Sequence, residues 1–261
     1  MTSARPLALV TGVGRRAGIG AALAVRLAND GWDLALSWWG SYDERVHGAA
    51  DPAGIDRVAQ ECESAGARVS RLPVDLADAG QAAALVERAA TEAGVPVTAL
   101  VLSHAESVDS DFRTTTVEAW DQHFAVNARA PFLLVQAYRA ALERAGDRAP
   151  RDLRRIVALT SDHTAYNLPY GASKGALDRI VLGAAKELAD LGVRANLVNP
   201  GPNDTGWMSE ETKEWVVGTT PAGRLGTPAD TAELVAFLCS PGGGWVNGQL
   251  LHSDGGFSDP A

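Results

Sequence analysis

The chain has 261 residues and a formal charge of −9, with 46% hydrophobic and 21% charged residues, enough apolar matter for a sizeable core and the wrong sign of charge for a phosphate backbone. Nucleic acid is therefore not an expected partner, and the composition excludes disorder. Two cysteines far apart, Cys62 and Cys239, exclude a disulfide framework and a zinc site and fit a reducing cytoplasm, while no apolar run approaches the ~18 residues of a membrane span.

Short apolar runs alternate with amphipathic segments along the whole length. Strands are expected at Leu7 to Val10, Leu34 to Trp38, Arg68 to Leu72, Ala99 to Ser103, Ile156 to Thr160, Ala195 to Val198 and Gln249 to His252. The clearest helix between them carries Leu177, Ile180, Val181, Ala184, Leu188 and Leu191 on one stripe and is expected to close at Gly192. This pattern predicts an α/β fold in one domain, a doubly wound sheet of parallel strands with helices on both faces. The polar stretches from Asp43 to Gly54 and from Ala145 to Arg151 read as surface loops. The basic cluster Arg148, Arg151, Arg154 and Arg155 is interrupted by Asp147 and Asp152. None of the histidines shows metal-ligand spacing with another, so no metal site is expected.

The first strand runs into Thr11-Gly12-Val13-Gly14-Arg15-Arg16-Ala17-Gly18-Ile19-Gly20 and then into a helix through Leu23 and Leu27. Glycines let a backbone turn tightly and approach a pyrophosphate, and the helix N-terminus behind them offers free N–H groups, so the loop reads as a Rossmann-type dinucleotide cradle. The bland alternative is a tight strand-to-helix turn. Strand two ends in Ser37-Trp38-Trp39 without the acid that usually meets the ribose of NAD, and Arg15 and Arg16 could meet a 2′-phosphate, which favours NADP(H). Asp43 and Glu44 follow soon after and keep NAD(H) as the alternative. Trp38 reads as a packing residue or as a platform for adenine.

Further on, Tyr170-Gly171-Ala172-Ser173-Lys174 sets a phenol and an ammonium one helical turn apart. A fixed cation favours the phenolate and is expected to lower the tyrosine pKa, making Tyr170 a candidate general acid/base. The same spacing also occurs on solvated helix faces.

Taken in order, these residues resemble the short-chain dehydrogenase/reductase family in its single-domain form, similar to 3-oxoacyl-carrier-protein reductases. The likeness covers the glycine-rich loop, Asp75 after strand three, Asn127 in the fourth helix, Ser161 after strand five, the Tyr170/Lys174 pair and Asn199-Pro200-Gly201 after strand six. The resemblance implies that Asp75 bonds the adenine amino group and Asn127 holds a water of a proton relay. It implies too that Ser161 bonds the substrate oxygen, Tyr170 exchanges a proton with it, and Lys174 tunes Tyr170 and binds the nicotinamide ribose. Leu76, Ser103, Pro200, Gly201 and Asn203 are expected along the cofactor, with Thr205 at its phosphates or carboxamide. Residues 203–226 would form a substrate lid with Trp207, Met208, Trp215 and Val216 as its apolar members, and His163 and Tyr166 are further candidates to face the substrate. A homotetramer or homodimer is implied as well.

Read singly, Asp75 could be a helix N-cap, Asn127 a local bridge and Ser161 a turn residue. Three departures stand out. Five residues separate Gly12 from Gly18 where the family has three, Leu102-Ser103-His104-Ala105 replaces Asn-Asn-Ala-Gly, and Ser161 precedes Tyr170 by nine residues instead of thirteen, leaving Thr160 or Thr164 as alternative hydroxyl donors. The expected activity is an NADP(H)-dependent interconversion of a carbonyl and a secondary alcohol on a small molecule. The alternatives are an NAD(H)-dependent alcohol dehydrogenase and a non-catalytic dinucleotide sensor or scaffold.

Overall fold

Each of the seven expected runs forms a strand in a computed structural model that describes residues 5–47, 51, 53–206 and 208–258. The strands are β1 (Leu7–Thr11), β2 (Asp33–Trp38), β3 (Val69–Pro73), β4 (Val97–Leu102), β5 (Arg155–Leu159), β6 (Arg194–Asn199) and β7 (Leu250–His252). They pair in parallel in the order β3-β2-β1-β4-β5-β6-β7. In β1, β4 and β5 every residue is buried, as continuous apolar runs require when both faces of a sheet are covered.

The helices are α1 (Ile19–Asn29), α2 (Gly40–His47), α3 (Gly54–Ser64), α4 (Ala79–Ala93), α5 (Val117–Phe124), α6 (Ala130–Ala145), α7 (Leu168–Glu187), α8 (Glu210–Thr219) and α9 (Pro228–Cys239). One core lies under α4, α6 and α7, with Leu85, Leu134, Tyr138 and Val181 at its centre. The other lies on the opposite face under α1, α3 and α9, with Leu23, Leu27, Val58 and Leu238. The chain leaves the sheet centre one way from β1 to β2 and the other way from β4 to β5, and a ligand cleft belongs outside the carboxyl ends at that reversal. Among the described residues no helix is long and apolar enough to cross a membrane.

Two sequence expectations change. The first part of the expected loop, Asp43 to His47, belongs to α2: Asp43 is buried there, and its carboxylate pairs with Arg15 at 3.2 Å. Helix α7 ends at Glu187, and Gly192 closes a following turn at φ 78°. The basic cluster is spent on carbonyls that helix ends leave open. Arg155 donates to Leu238 at 2.8 Å and Ser240 at 3.0 Å beyond α9, and Arg154 to Ala149 and Leu191.

Candidate active site

Beyond the strand ends opens a cleft of about 660 Å³ lined by Gly12, Trp38, Asp75, Ser103, Thr160 and Pro200, one from the end of each of β1 to β6 in turn. Gly12, at φ 78°, passes so close to the β4 end that a Cβ there would stand 2.7 Å from the backbone nitrogen of His104. Gly18, Ile19 and Gly20 line the cleft at the start of α1, whose N-cap supplies no side-chain hydrogen bond. The first-turn N–H groups are thereby left for an anion. Ser37 at the end of β2 lines the same wall, and its hydroxyl is buried without a partner. An orphaned hydroxyl at the ribose end and unsatisfied N–H groups at the phosphate end fit a dinucleotide.

The two loop arginines diverge. Arg15 lines the cleft between Asp43 and the carbonyl of Thr205, to which it donates at 3.1 Å; burial lowers its pKa. Arg16 turns outward instead and forms a bidentate pair with Glu61 at 2.5 and 2.7 Å. Arg16, expected along the cofactor, thus does not line the cleft: the longer glycine loop carries it to α3. Asp75 lines the cleft and accepts from the N–H of Ala77 at 2.9 Å, while the N-cap of α4 is Asp78. Leu76, Thr205 and Trp38 also line the cleft. Gly201 and Asn203 do not: Gly201 packs against Asp254, and the Asn203 amide folds back onto the Pro200 carbonyl at 2.6 Å.

At the opposite wall, α7 presents Tyr170 and Lys174 to the cleft. Pro169 in the first turn of α7 needs no N–H partner there and helps start the helix. The Ser161 hydroxyl stands on the Tyr170 side of the loop, where it pulls the phenol pKa down, and it accepts the His163 N–H at 3.2 Å. Thr160 is engaged elsewhere, its hydroxyl donating to Asp178 at 2.5 Å, and Thr164 is exposed. Lys174, 2% exposed, donates to the Leu159 carbonyl at 2.9 Å and lies 5.6 Å from the centre of the Tyr170 ring.

The electrostatics differ from the sequence expectation. Burial pushes the Tyr170 phenol up to about 12, against the lowering pull of Ser161, and burial brings Lys174 down to about 8, against the raising pull of Asp178. The desolvation of both charged forms outweighs the mutual help that one helical turn promised.

Asn127 falls in a single π-helical turn, Ala125–Arg129, between α5 and α6. Such bulges cost regular hydrogen bonding and gather at functional sites. Its carbonyl oxygen accepts the Glu106 N–H, and its amide donates to the Glu106 carbonyl, both at 2.8 Å, and to Ser173 at 3.0 Å. Ser173 in turn donates to the Tyr170 carbonyl at 2.7 Å. Asn127 thus ties the loop after β4 to the first turns of α7.

Sequence reasoning missed four residues of this cleft. His104 accepts a hydrogen bond from the Thr11 hydroxyl at Nδ1, 2.6 Å away, and donates its Nε2–H to the Val126 carbonyl at 3.1 Å. Burial brings its pKa down to about 3, which keeps the ring neutral in this tautomer. From α2, Tyr42 and Arg45 reach toward the loop after β4, where Glu106, buried, accepts Arg45 at 2.7 and 2.8 Å. No spacing rule marks these four, since each pairing joins distant segments.

Of the candidate substrate residues, His163 is exposed with its ring edge-on to Tyr170 at 6.4 Å. Tyr166 points to solvent at 79% exposure, from a left-handed backbone at φ 63° in the shortened loop, and so does not line the cleft. Met208 is half-buried outside the cleft, and Trp207 lies outside the described residues. In α8, Val216 is buried, while Trp215 is exposed and edge-on to Phe257.

The model of the enoyl-(acyl carrier protein) reductase family matches residues 12–258. The uncharacterized oxidoreductase YjdA of Bacillus subtilis is 33% identical over 259 residues, covering 98% of each chain. The crystal structure of acetoin dehydrogenase YohF from Salmonella typhimurium superposes with a TM-score of 0.81 at 30% identity, over 98% of this chain and 99% of that one. A blue fluorescent protein from a metagenomic library, in complex with NADPH, gives a TM-score of 0.83 at 32% identity, over 97% and 98%. The chain belongs to the short-chain dehydrogenase/reductase family. It is an oxidoreductase of the kind that works with a nicotinamide dinucleotide.

Proposed function

We propose that the protein reduces a carbonyl on a small molecule to a secondary alcohol with NADP(H), and runs the reverse reaction when the cofactor pool is oxidised. The observation that carries this reading is Tyr170 and Lys174 together on one wall of a cleft, with Ser161 beside the phenol, while the other wall is a glycine loop at a helix N-terminus. The dinucleotide, when bound along Gly12, Gly18, Ile19, Gly20, Asp75 and Pro200, supplies the hydride. The rest is done by side chains. Ser161 and Tyr170 hold the substrate oxygen where negative charge develops on it. A phenol held near 12 keeps its proton at neutral pH, so Tyr170 serves as the acid that protonates that oxygen, which suits the reducing direction. Lys174, half-charged at about pH 8, stabilises the phenolate that Tyr170 becomes.

NADP(H) is favoured by Arg15 on the cleft wall, the lack of an acid at the end of β2 and the free Ser37 hydroxyl. One observation favours NAD(H): Asp43 stands buried beside Arg15 and could meet ribose hydroxyls. We take residues 203–226 as the substrate lid and the working form as a homo-oligomer in a reducing cytoplasm, in keeping with two buried free thiols. Fluorescence titration with NADPH and NADH, followed by oxidation assays over a panel of ketones and aldehydes, tests the reading. Wild type should turn over and Tyr170→Phe should bind cofactor with a loss of about 10³-fold in kcat; binding without turnover by the wild type would leave a sensor or scaffold instead.

A further inference from the structure

Three consecutive turns of α7 meet three consecutive residues at the end of β5. Tyr170 stands beside Ser161, Lys174 donates to the Leu159 carbonyl at 2.9 Å, and Asp178 accepts the Thr160 hydroxyl at 2.5 Å. The proposed chemistry uses the first two members of the row and leaves Asp178 unexplained. A carboxylate is an expensive side chain to half-bury beside an apolar sheet unless a charge or donor answers it. Here both do: Thr160, itself on the cleft wall, gives a hydrogen bond, and Lys174 stands one helical turn away on the same face.

We propose that Asp178 is a positioning residue: its charge keeps the buried Lys174 ammonium protonated, and its bond to Thr160 fixes the strand end that aims Ser161 at Tyr170. The second role matters because the loop from Ser161 to Tyr170 is short and offers little other purchase. The inference rests on the proposed roles of Tyr170 and Lys174. Burial depresses the Lys174 pKa and Asp178 opposes it, while burial raises that of Asp178 and Thr160, Lys174 and Arg179 oppose that in turn. The other titratable groups around the row are His104, held neutral near Lys174, and Tyr42 and Asp162, which act on Tyr170.

The test exploits the fact that the sequence holds only three lysines, Lys174, Lys186 and Lys213. Protein labelled with 13C at lysine Cε is titrated by NMR, with Lys174→Arg assigning the signal. In wild type Lys174 should titrate near pH 8, and in Asp178→Asn, which can still accept from Thr160, it should titrate at lower pH. The Asp178→Asn rate, kcat/KM, should fall roughly fivefold at pH 8 and stay within about twofold of wild type at pH 6, since only the protonated fraction of Lys174 changes. Asp178→Glu should restore most of both. An unmoved Lys174 midpoint, or an equal rate loss at both pH values, overturns the charge role. Asp178→Ser serves if the asparagine variant does not fold. Thr160→Val isolates the anchor and should lower kcat at all pH values with the Lys174 midpoint little changed; an unchanged kcat overturns the anchoring role. The NMR titration needs no turnover, so failure of the Tyr170 reading, seen as full activity in Tyr170→Phe, is recognised separately.

Discussion

Along the α7 wall of the cleft, polar partners come from nearby in the chain: Lys174 reaches Leu159, 15 residues back, and Asp178 reaches Thr160, 18 back. Around the glycine loop and α2 the pairs span far more, 45 residues from Arg16 to Glu61 and 61 from Arg45 to Glu106. The first wall is one helix laid against one strand end, so a fixed periodicity sets its geometry. The second is a set of ion pairs between separate loops and helices, where sequence spacing carries no information about who meets whom. The comparison teaches that the proposed proton chemistry is built into a rigid local unit, while cofactor choice rests on charges that other charges can redirect.

The largest expected effect lies where the two walls meet. His104 joins Thr11 at the end of β1 to Val126 in the π-turn. Its folded pKa, about 3 against an ordinary 6.5, is depressed by burial. The stability it lends is complete above pH 6.5 and is lost as pH falls toward 3, because the unfolded chain binds the proton first. Over that window the native state should lose on the order of 4 kcal/mol through this group. Denaturant unfolding at pH 7 and at pH 3.5 should show a clearly smaller acid loss for His104→Gln. Parallel losses in both proteins would mean that the seam between the walls does not depend on a neutral histidine.

Next comes a change on the rigid wall alone. The shortened serine loop lies directly on the first turn of α7, so a Cβ on Gly171 would collide with the His163 carbonyl oxygen. Backbone cannot yield as a side chain can. Gly171→Ala should cost about 3 kcal/mol of stability, a large share of it in the serine loop. It should also cut kcat by about 10²-fold through misplacement of Ser161, with NADPH affinity nearly unchanged. Equal damage to cofactor binding would show that the two walls are coupled more tightly than their contacts indicate.

How much of this was legible in the sequence follows the same division. Tyr170 and Lys174 could be read because helical spacing alone puts them together, and the seven strands because apolar runs buried on both faces leave an unmistakable pattern. The environment of the pair was not legible: a one-turn spacing says nothing of desolvation, which reversed the expected pKa of Tyr170. The segment from Asp43 onward looked like loop because its polar side chains are satisfied by distant partners, Arg15 above all. His104 and Glu106 went unseen for the same reason, and the π-turn around Asn127 has no composition signature.

On the ion-pair wall, Arg15 and Arg16 make opposed predictions from adjacent positions. Removing Arg15, which lines the cleft beside Asp43, should weaken NADPH by about tenfold and NADH hardly at all, as expected for the loss of one cation facing a 2′-phosphate. Equal weakening of both cofactors would assign Arg15 to the shared pyrophosphate, and stronger NADH binding in Asp43→Asn would remove Asp43 from the ribose.

Arg16→Ala tests the divergence most sharply by predicting almost nothing. The Arg16 and Glu61 side chains are 47% and 39% exposed, so solvent screens the pair and leaves it worth at most about 0.5 kcal/mol. Neither residue lines the cleft. NADPH affinity and kcat should stay within about twofold of wild type, because no counter-charge to the cofactor is lost. A tenfold loss of NADPH affinity, with NADH spared, would mean that the long glycine loop swings Arg16 off Glu61 and onto the cofactor. In that case the ion pairs of this wall are parking places for cations that the dinucleotide recruits, and Arg16 rejoins Arg15 as a binding residue.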